Sequence, residues 1–412
     1  DTHRFTGSLD ISGSRILFDD GKNNIAIGKN SISVIGAGQG GNVAVGYESM
    51  KSAGTAANNN AEFNTAIGYE SLKDVTTGYT NVAVGKGAGE SLTTGHSNVA
   101  IGTGALDVAT DVDNTVIIGK KAGEANMTSA ADGTISIGYS AGAAITSGAS
   151  NIAIGYEALK TTTTGLRNIA IGYEAMHDTD AGSSSSDSDN NIFIGYTAGG
   201  GAWADAKSEN NVAIGSNVMQ GVLNGANNNT ALGYFALASI TSGDTNVGIG
   251  SEAGGVLTTG IKNTIMGVQA GNAMTSTNYT TLIGYQAGSA INSTDADGTV
   301  AIGYLAASVL TSGIGSTAIG YEALKTATEN DYNTAVGNRA LYSISGSSGT
   351  EGEGNTAVGR YAGYSTTTGN SNVFIGNAAG YGNTTGIYNN FIGVGAGQNS
   401  TTANQSTYIG WY

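Results

Sequence analysis

The chain has 412 residues, 67 of them glycine, with no proline or cysteine, and it carries a net charge of −15 although only 11% of its residues are charged. An acidic chain without Lys/Arg clusters is a poor partner for phosphate backbones, so no nucleic acid is expected. The missing cysteines remove disulfides and thiolate metal sites, and a 39% hydrophobic content placed at fixed intervals is too high and too ordered for a disordered chain.

Residues 1–22 carry no repeat; FTGSLDISGSRILFDDG reads as one or two short strands of an N-terminal connector. The chain begins at Asp1 with neither a basic stretch nor an apolar leader behind it, which predicts a processed or excised piece. No apolar run is long enough for a membrane-spanning helix, so no membrane insertion by this segment is expected.

From residue 23 to 412 one pattern recurs. Segments such as NTAIGYESL (64–72) and NIAIGYEAL (151–159) align on 22 register glycines, from Gly28 to Gly410, and thirteen of the 21 intervals are seventeen residues. The other eight run from 18 to 23, with the extra residues in Ser/Thr/Asn/Asp/Gly-rich stretches at 51–63, 178–190, 200–210 and 343–354. A constant period with insertions confined to loops predicts an all-β fold, a parallel β-roll or β-solenoid of about 22 coils. The spacings 17, 17, 17, 19, 17, 17 start at both Gly68 and Gly233, so a block of coils reads as duplicated. The last coil stops at Tyr412 without a polar cap, which predicts further chain in the full protein.

Each position of the coil has a reading. The residue before the glycine is Ile, Val, Leu or Met in all 22 coils, and two positions earlier 21 of 22 are Val, Ile or Thr, Asn390 being the departure. Strand alternation puts these on one face, expected to be the apolar interior. The position between them is mostly Ala, as at Ala66, Ala83 and Ala153, with bulky exceptions such as Phe193, Phe374, Phe391 and Tyr408. A strand apolar on both faces needs cover on both, so this second, Ala-rich face is expected to press against other copies of the chain. Four residues before the glycine, sixteen coils carry Asn and six carry Thr or Ser. Asn64, Asn81, Asn98, Asn151, Asn168, Asn246 and Asn263 are predicted to stack as an amide ladder from coil to coil. TTG sequences at 76–78, 93–95, 258–260 and 367–369 mark a second turn, and the short EALK-type pieces are too brief for helices.

NTAIGYES, NVAVGKGA, NVAIGTGA and NIAIGYEA resemble the NSVAIGxxS signature of YadA-like heads in trimeric autotransporter adhesins, a resemblance that spans residues 23–412. It implies a left-handed parallel β-roll that trimerises through one face, although the family coil is shorter and lacks the TTG-type extensions. The seventeen-residue coil with its NTTG-like turn, behind a leader such as HRFTGSLDISGS (3–14), is similar to tail-fibre and virion appendage proteins of marine phages, notably cyanophages.

Candidate chemistry is sparse. His3, His96 and His177 lie in leader or loop segments without a nucleophile pattern around them. Glu stands two residues after the glycine in several coils (Glu48, Glu70, Glu157, Glu174, Glu252, Glu322), with Lys73, Lys160 and Lys325 three further on, which reads as local charge pairing. Glu157 and Glu174, one coil apart, are the nearest approach to a glycosidase pair, and a solvated ladder is the preferred reading. Tyr follows the glycine in ten coils; Tyr156 and Tyr173 are candidate sugar-binding faces as well as stacked corner rings. Trp203, in the inserted GGGAWADAKSEN, is the better recognition candidate. Acidic loops at 107–114, 177–191 and 293–298 offer oxygen ligands of the kind Ca²⁺ takes, without matching a known calcium motif, and no cofactor is otherwise expected.

The sequence thus predicts a structural or adhesive fibre segment, not an enzyme, at a virion surface or an extracellular or cell surface. Its expected partners are itself, as a homotrimer, and a host cell-surface glycan or protein receptor. The readings kept beside it are a bacterial trimeric autotransporter-type adhesin, a secreted self-assembling filament or ice-binding β-solenoid, and a polysaccharide depolymerase.

Overall fold

The structure, a computed structural model, describes residues 15–17, 23–33, 40–52, 59–179, 184, 187–346 and 351–411. Most of the connector, 1–14 and 18–22, lies outside them. Two compact units are distinguished, Asp1–Asn190 and Asn191–Tyr412, and each is a parallel β-solenoid whose coils contribute one strand of three or four residues.

In the first unit the strand Arg15–Leu17 pairs antiparallel with Ile25–Gly28. Eight further strands, from Val43–Val45 to Ile169–Ile171, then continue the sheet in parallel. Among the described residues the second unit carries thirteen parallel strands from Ile192–Ile194 to Thr407–Ile409. Identical repeat positions pair throughout, as in Ile152↔Ile169 with Ala153↔Ala170. Insertions leave this register alone: Val43 pairs with Thr65 and Thr334 with Thr356 across intervals of 22 residues.

The glycine ends the strand because the corner that follows needs a backbone few side chains tolerate. Gly155 has φ +141°, and a Cβ there would collide with the carbonyl oxygen of Gly172 in the next coil. After it the backbone returns to the left-handed region at alternate residues, Glu157 at φ 51° and Leu159 at φ 50°. The EALK-type pieces are therefore tight corners and not helical turns.

The expected assignment of strand faces is reversed. The Ala position points inward: Ala26, Ala66, Ala83, Ala153, Ala231 and Ala357 are all buried, and so are the bulky exceptions Ile117, Phe193, Phe374 and Phe391. The two residues that flank it, aliphatic or Thr in nearly every strand, point outward, with Ile67 at 41% and Leu232 at 47% exposure. The physical reason lies in the corner. It turns two further side chains into the same narrow interior, Ala158 and Leu159 in one coil and Ala236 and Leu237 in another, and the opposite wall adds Val75, Leu92, Ile240 and Leu257. Little room remains opposite the strand, so a small residue goes in and the branched residues go out.

Candidate functional site

The outward strand face repeats from coil to coil in both units. In the first it runs from Ile25 and Ile27 to Ile169 and Ile171, and in the second from Ile192 and Ile194 to Thr407 and Ile409. These aliphatic and threonine side chains are half-buried or exposed in the single chain, and no charged residue interrupts the two positions.

Inside the corner opposite, the amide ladder holds consecutive coils together. Asn81 donates its N–H to Asn64 Oδ1 at 2.9 Å and its side-chain amide to Gly95 O at 2.8 Å. Its own Oδ1 accepts from Asn98 N and Nδ2, both at 3.0 Å. Asn246 and Asn263 repeat the arrangement, and Asn168 takes Asn151 Oδ1 at 2.8 Å. Thr115 keeps the ladder through N–H and hydroxyl bonds to Asn98 Oδ1.

A second ladder was not read from the sequence. Six residues before the register glycine, an Asp or Asn accepts the N–H of the same position one coil earlier: His96 N to Asp113 at 2.7 Å, Asp113 N to Asp132 at 2.8 Å, and Asn278 N to Asp297 at 2.7 Å. Its signal was the recurrence of Asx at that offset. The ladder commits Asp113 and Asp297, which belong to two of the loops considered for Ca²⁺. Part of the third, 180–183 and 185–186, lies outside the described residues.

The aromatic candidates change character. Trp203 is fully buried; its Nε1 donates to Gly199 O at 2.9 Å, and its ring lies 5.6 Å from that of Phe193. It is a core residue and not a surface recognition group, because its ring is turned inward onto Phe193 and wholly covered. Tyr156 and Tyr173 are both 43% exposed. Tyr156 stacks on Tyr139 at 5.2 Å and on Tyr173 at 5.1 Å, nearly parallel to each. Both faces of Tyr156 are covered, so it presents its edge and hydroxyl outward and no open face for a sugar ring.

Beside the tyrosines runs a charged corner. Glu48–Lys51, Glu157–Lys160 and Glu322–Lys325 close at 2.9, 3.0 and 2.6 Å, and Arg339 reaches Glu322 from the next coil at 2.7 Å. Burial opposes ionisation of Glu157 and Glu322, yet hydrogen bonds from Lys160 and His177, and from Lys325 and Arg339, hold each carboxyl below its ordinary range. Glu157, Glu174 and His177 gather with one ligand atom from each within 4.8 Å of the others. The repeat spacing had paired the two glutamates without the histidine, although its place three residues after Glu174 was the available signal. His96 stacks on Tyr79 at 4.6 Å and meets Asp113 at 3.0 Å.

No protein-family model matches the chain, and no curated protein matches it.

Proposed function

We propose that the chain is a structural and adhesive fibre segment that works as a homotrimer of left-handed β-rolls side by side, in a phage tail fibre or another virion appendage that attaches to a host surface. One observation carries this reading: an uncharged ladder, aliphatic at one outward position of every repeat strand and Val, Ile or Thr at the other in all but one, lies on the outside of the sheet, where a single chain leaves it to solvent. Three copies meeting through that face would cover it and leave the Tyr/Glu corner and the loops outward for a glycan or protein receptor. The coil-to-coil ladders supply stiffness without turnover chemistry. Light scattering on the purified chain tests it: a mass near three times 41.0 kDa is expected, and a stable monomer overturns the trimer.

A second reading draws on the same face. Thr264, Thr281, Thr317, Thr334 and Thr356 lie on the outward side of the parallel sheet, not in the interior where strand alternation alone had put them. Regular outward threonine suits an ice-binding or self-assembling solenoid. A monomer that depresses the freezing point of water below its melting point would favour ice binding, and open-ended growth would favour a filament.

A further inference from the structure

We propose that Glu157, Glu174 and His177 form a binding site for a divalent transition-metal cation, with Zn²⁺ as its first candidate. The two carboxylates occupy the same position of consecutive coils, held in line by the pairing of Ile152 with Ile169. Both residues sit in the left-handed region, at φ 51° and 50°, so one corner geometry aims both side chains. His177 follows three residues after Glu174, and its Nε2 already stands 2.9 Å from Glu157 Oε2. All three residues are partly buried.

The repeat itself sets this place apart. Where the corner glutamate is followed by a charged partner elsewhere, that partner is lysine: Glu48 with Lys51, Glu70 with Lys73, Glu157 with Lys160 and Glu322 with Lys325. After Glu174 the same offset carries His177. A lysine ammonium can only neutralise a carboxylate, whereas a neutral imidazole brings a lone pair that a metal can take. Two stacked carboxylates therefore share one lysine and one potential nitrogen ligand, and Glu174 has no side-chain partner among the described residues.

The donor set selects the class of ion. Ca²⁺ and Mg²⁺ take oxygen ligands, whereas one imidazole with two carboxylates suits Zn²⁺ and its neighbours. Tetrahedral Zn²⁺ holds its ligand atoms about 3.3 Å apart, so ligand atoms that now lie within 4.8 Å of one another would draw in slightly around the ion. Lys160, now 3.0 Å from Glu157, has a side chain 37% exposed and can swing into solvent as the ion enters. A bound ion would staple two consecutive coils at the foot of the 23-residue interval between Gly172 and Gly195, the longest in the chain.

The test uses the full 412-residue chain, stripped with a chelator and titrated with Zn²⁺ by calorimetry. One equivalent per chain is expected at this site, with a rise in thermal midpoint. Glu174→Gln and His177→Lys should each weaken that binding by at least about tenfold; His177→Lys restores the glutamate-lysine pattern of the other coils, so the fold should persist. Variants that keep the parent affinity, or no uptake by the parent, would overturn the proposal. X-ray absorption on the Zn²⁺-loaded parent decides the matter without variants: a shell containing one imidazole supports the site, and oxygen ligands alone sink it.

Discussion

Gly199 leaves the space that the ring of Phe193 fills: a Cβ on Gly199 would stand 2.5 Å from Phe193 Cδ1. The same offset of six residues links Ile117 to Gly123, Leu282 to Gly288, Phe374 to Gly380 and Phe391 to Gly397, and at each pair a Cβ on the glycine would crowd the strand residue. Where the strand carries Ala153 or Ala231, the corner supplies Leu159 or Leu237. No coil takes bulk from both the strand and the corner, and a few, such as those with Ala83 and Gly89, Gly248 and Gly254, or Ala357 and Gly363, take it from neither. Gly199→Ala should therefore destabilise by about 1–3 kcal/mol through overpacking. The double variant Phe193→Ala/Gly199→Leu, which copies Ala153 and Leu159, should be more stable than the sum of its single changes predicts. A double-mutant cycle by denaturant unfolding measures the coupling.

Asn81 meets four hydrogen-bonding groups of the two adjacent coils, all buried. Asn81→Ala would strand the Asn98 N–H and the Gly95 carbonyl, at a cost of about 2–4 kcal/mol. Asn81→Thr should cost less, because Thr115 holds the ladder position in another coil. The order parent, Thr, Ala in unfolding midpoint checks this, and equal loss for both variants would contradict it.

Ser136 faces the interior with its hydroxyl fully buried and without a partner. The other strands put Ala, Gly or a larger side chain there. Ser136→Ala should stabilise by about 1 kcal/mol, since it removes an unpaired polar atom without opening a cavity. Thermal unfolding of the variant gives the sign.

Glu322 is buried against Lys325 and Arg339, whose hydrogen bonds outweigh the burial and lower its carboxyl from the ordinary 4.5. A depressed folded value means that the unfolded chain takes up the proton first on acidification. The contribution of Glu322 is therefore whole above pH 4.5 and drains away as pH falls through the lower folded value. Thermal midpoints measured on acidification should fall more steeply for the parent than for Glu322→Gln.

Ile154 and Ile171 share the outward face in adjacent coils. If that face joins copies of the chain, Ile154→Lys/Ile171→Lys should lower the native mass while the far-ultraviolet circular dichroism stays that of the parent. Substitutions pointing into a core would instead unfold the coils around them.

The sequence by itself determined the period, the parallel register, the corner glycine and the buried amide at its fixed offset. The corner glycine and the ladder position depend on a backbone or hydrogen-bonding requirement that few residue types can meet, so each is written at one position of the repeat, as Gly in the first case and as Asn, Thr or Ser in the second. The tertiary structure alone decided which face of the strand is inside. A three-residue strand apolar on both faces has no amphipathic signal, and the choice follows from the volume that Leu159, Ala158 and their equivalents bring in from the corner. The same accounting of volume buries Trp203, which its Gly-rich surroundings had made look like a loop residue, and coil stacking closes the face of Tyr156. The grouping of Glu157, Glu174 and His177 likewise needed the fold, because it forms only when residues twenty apart in the chain are laid one coil above another.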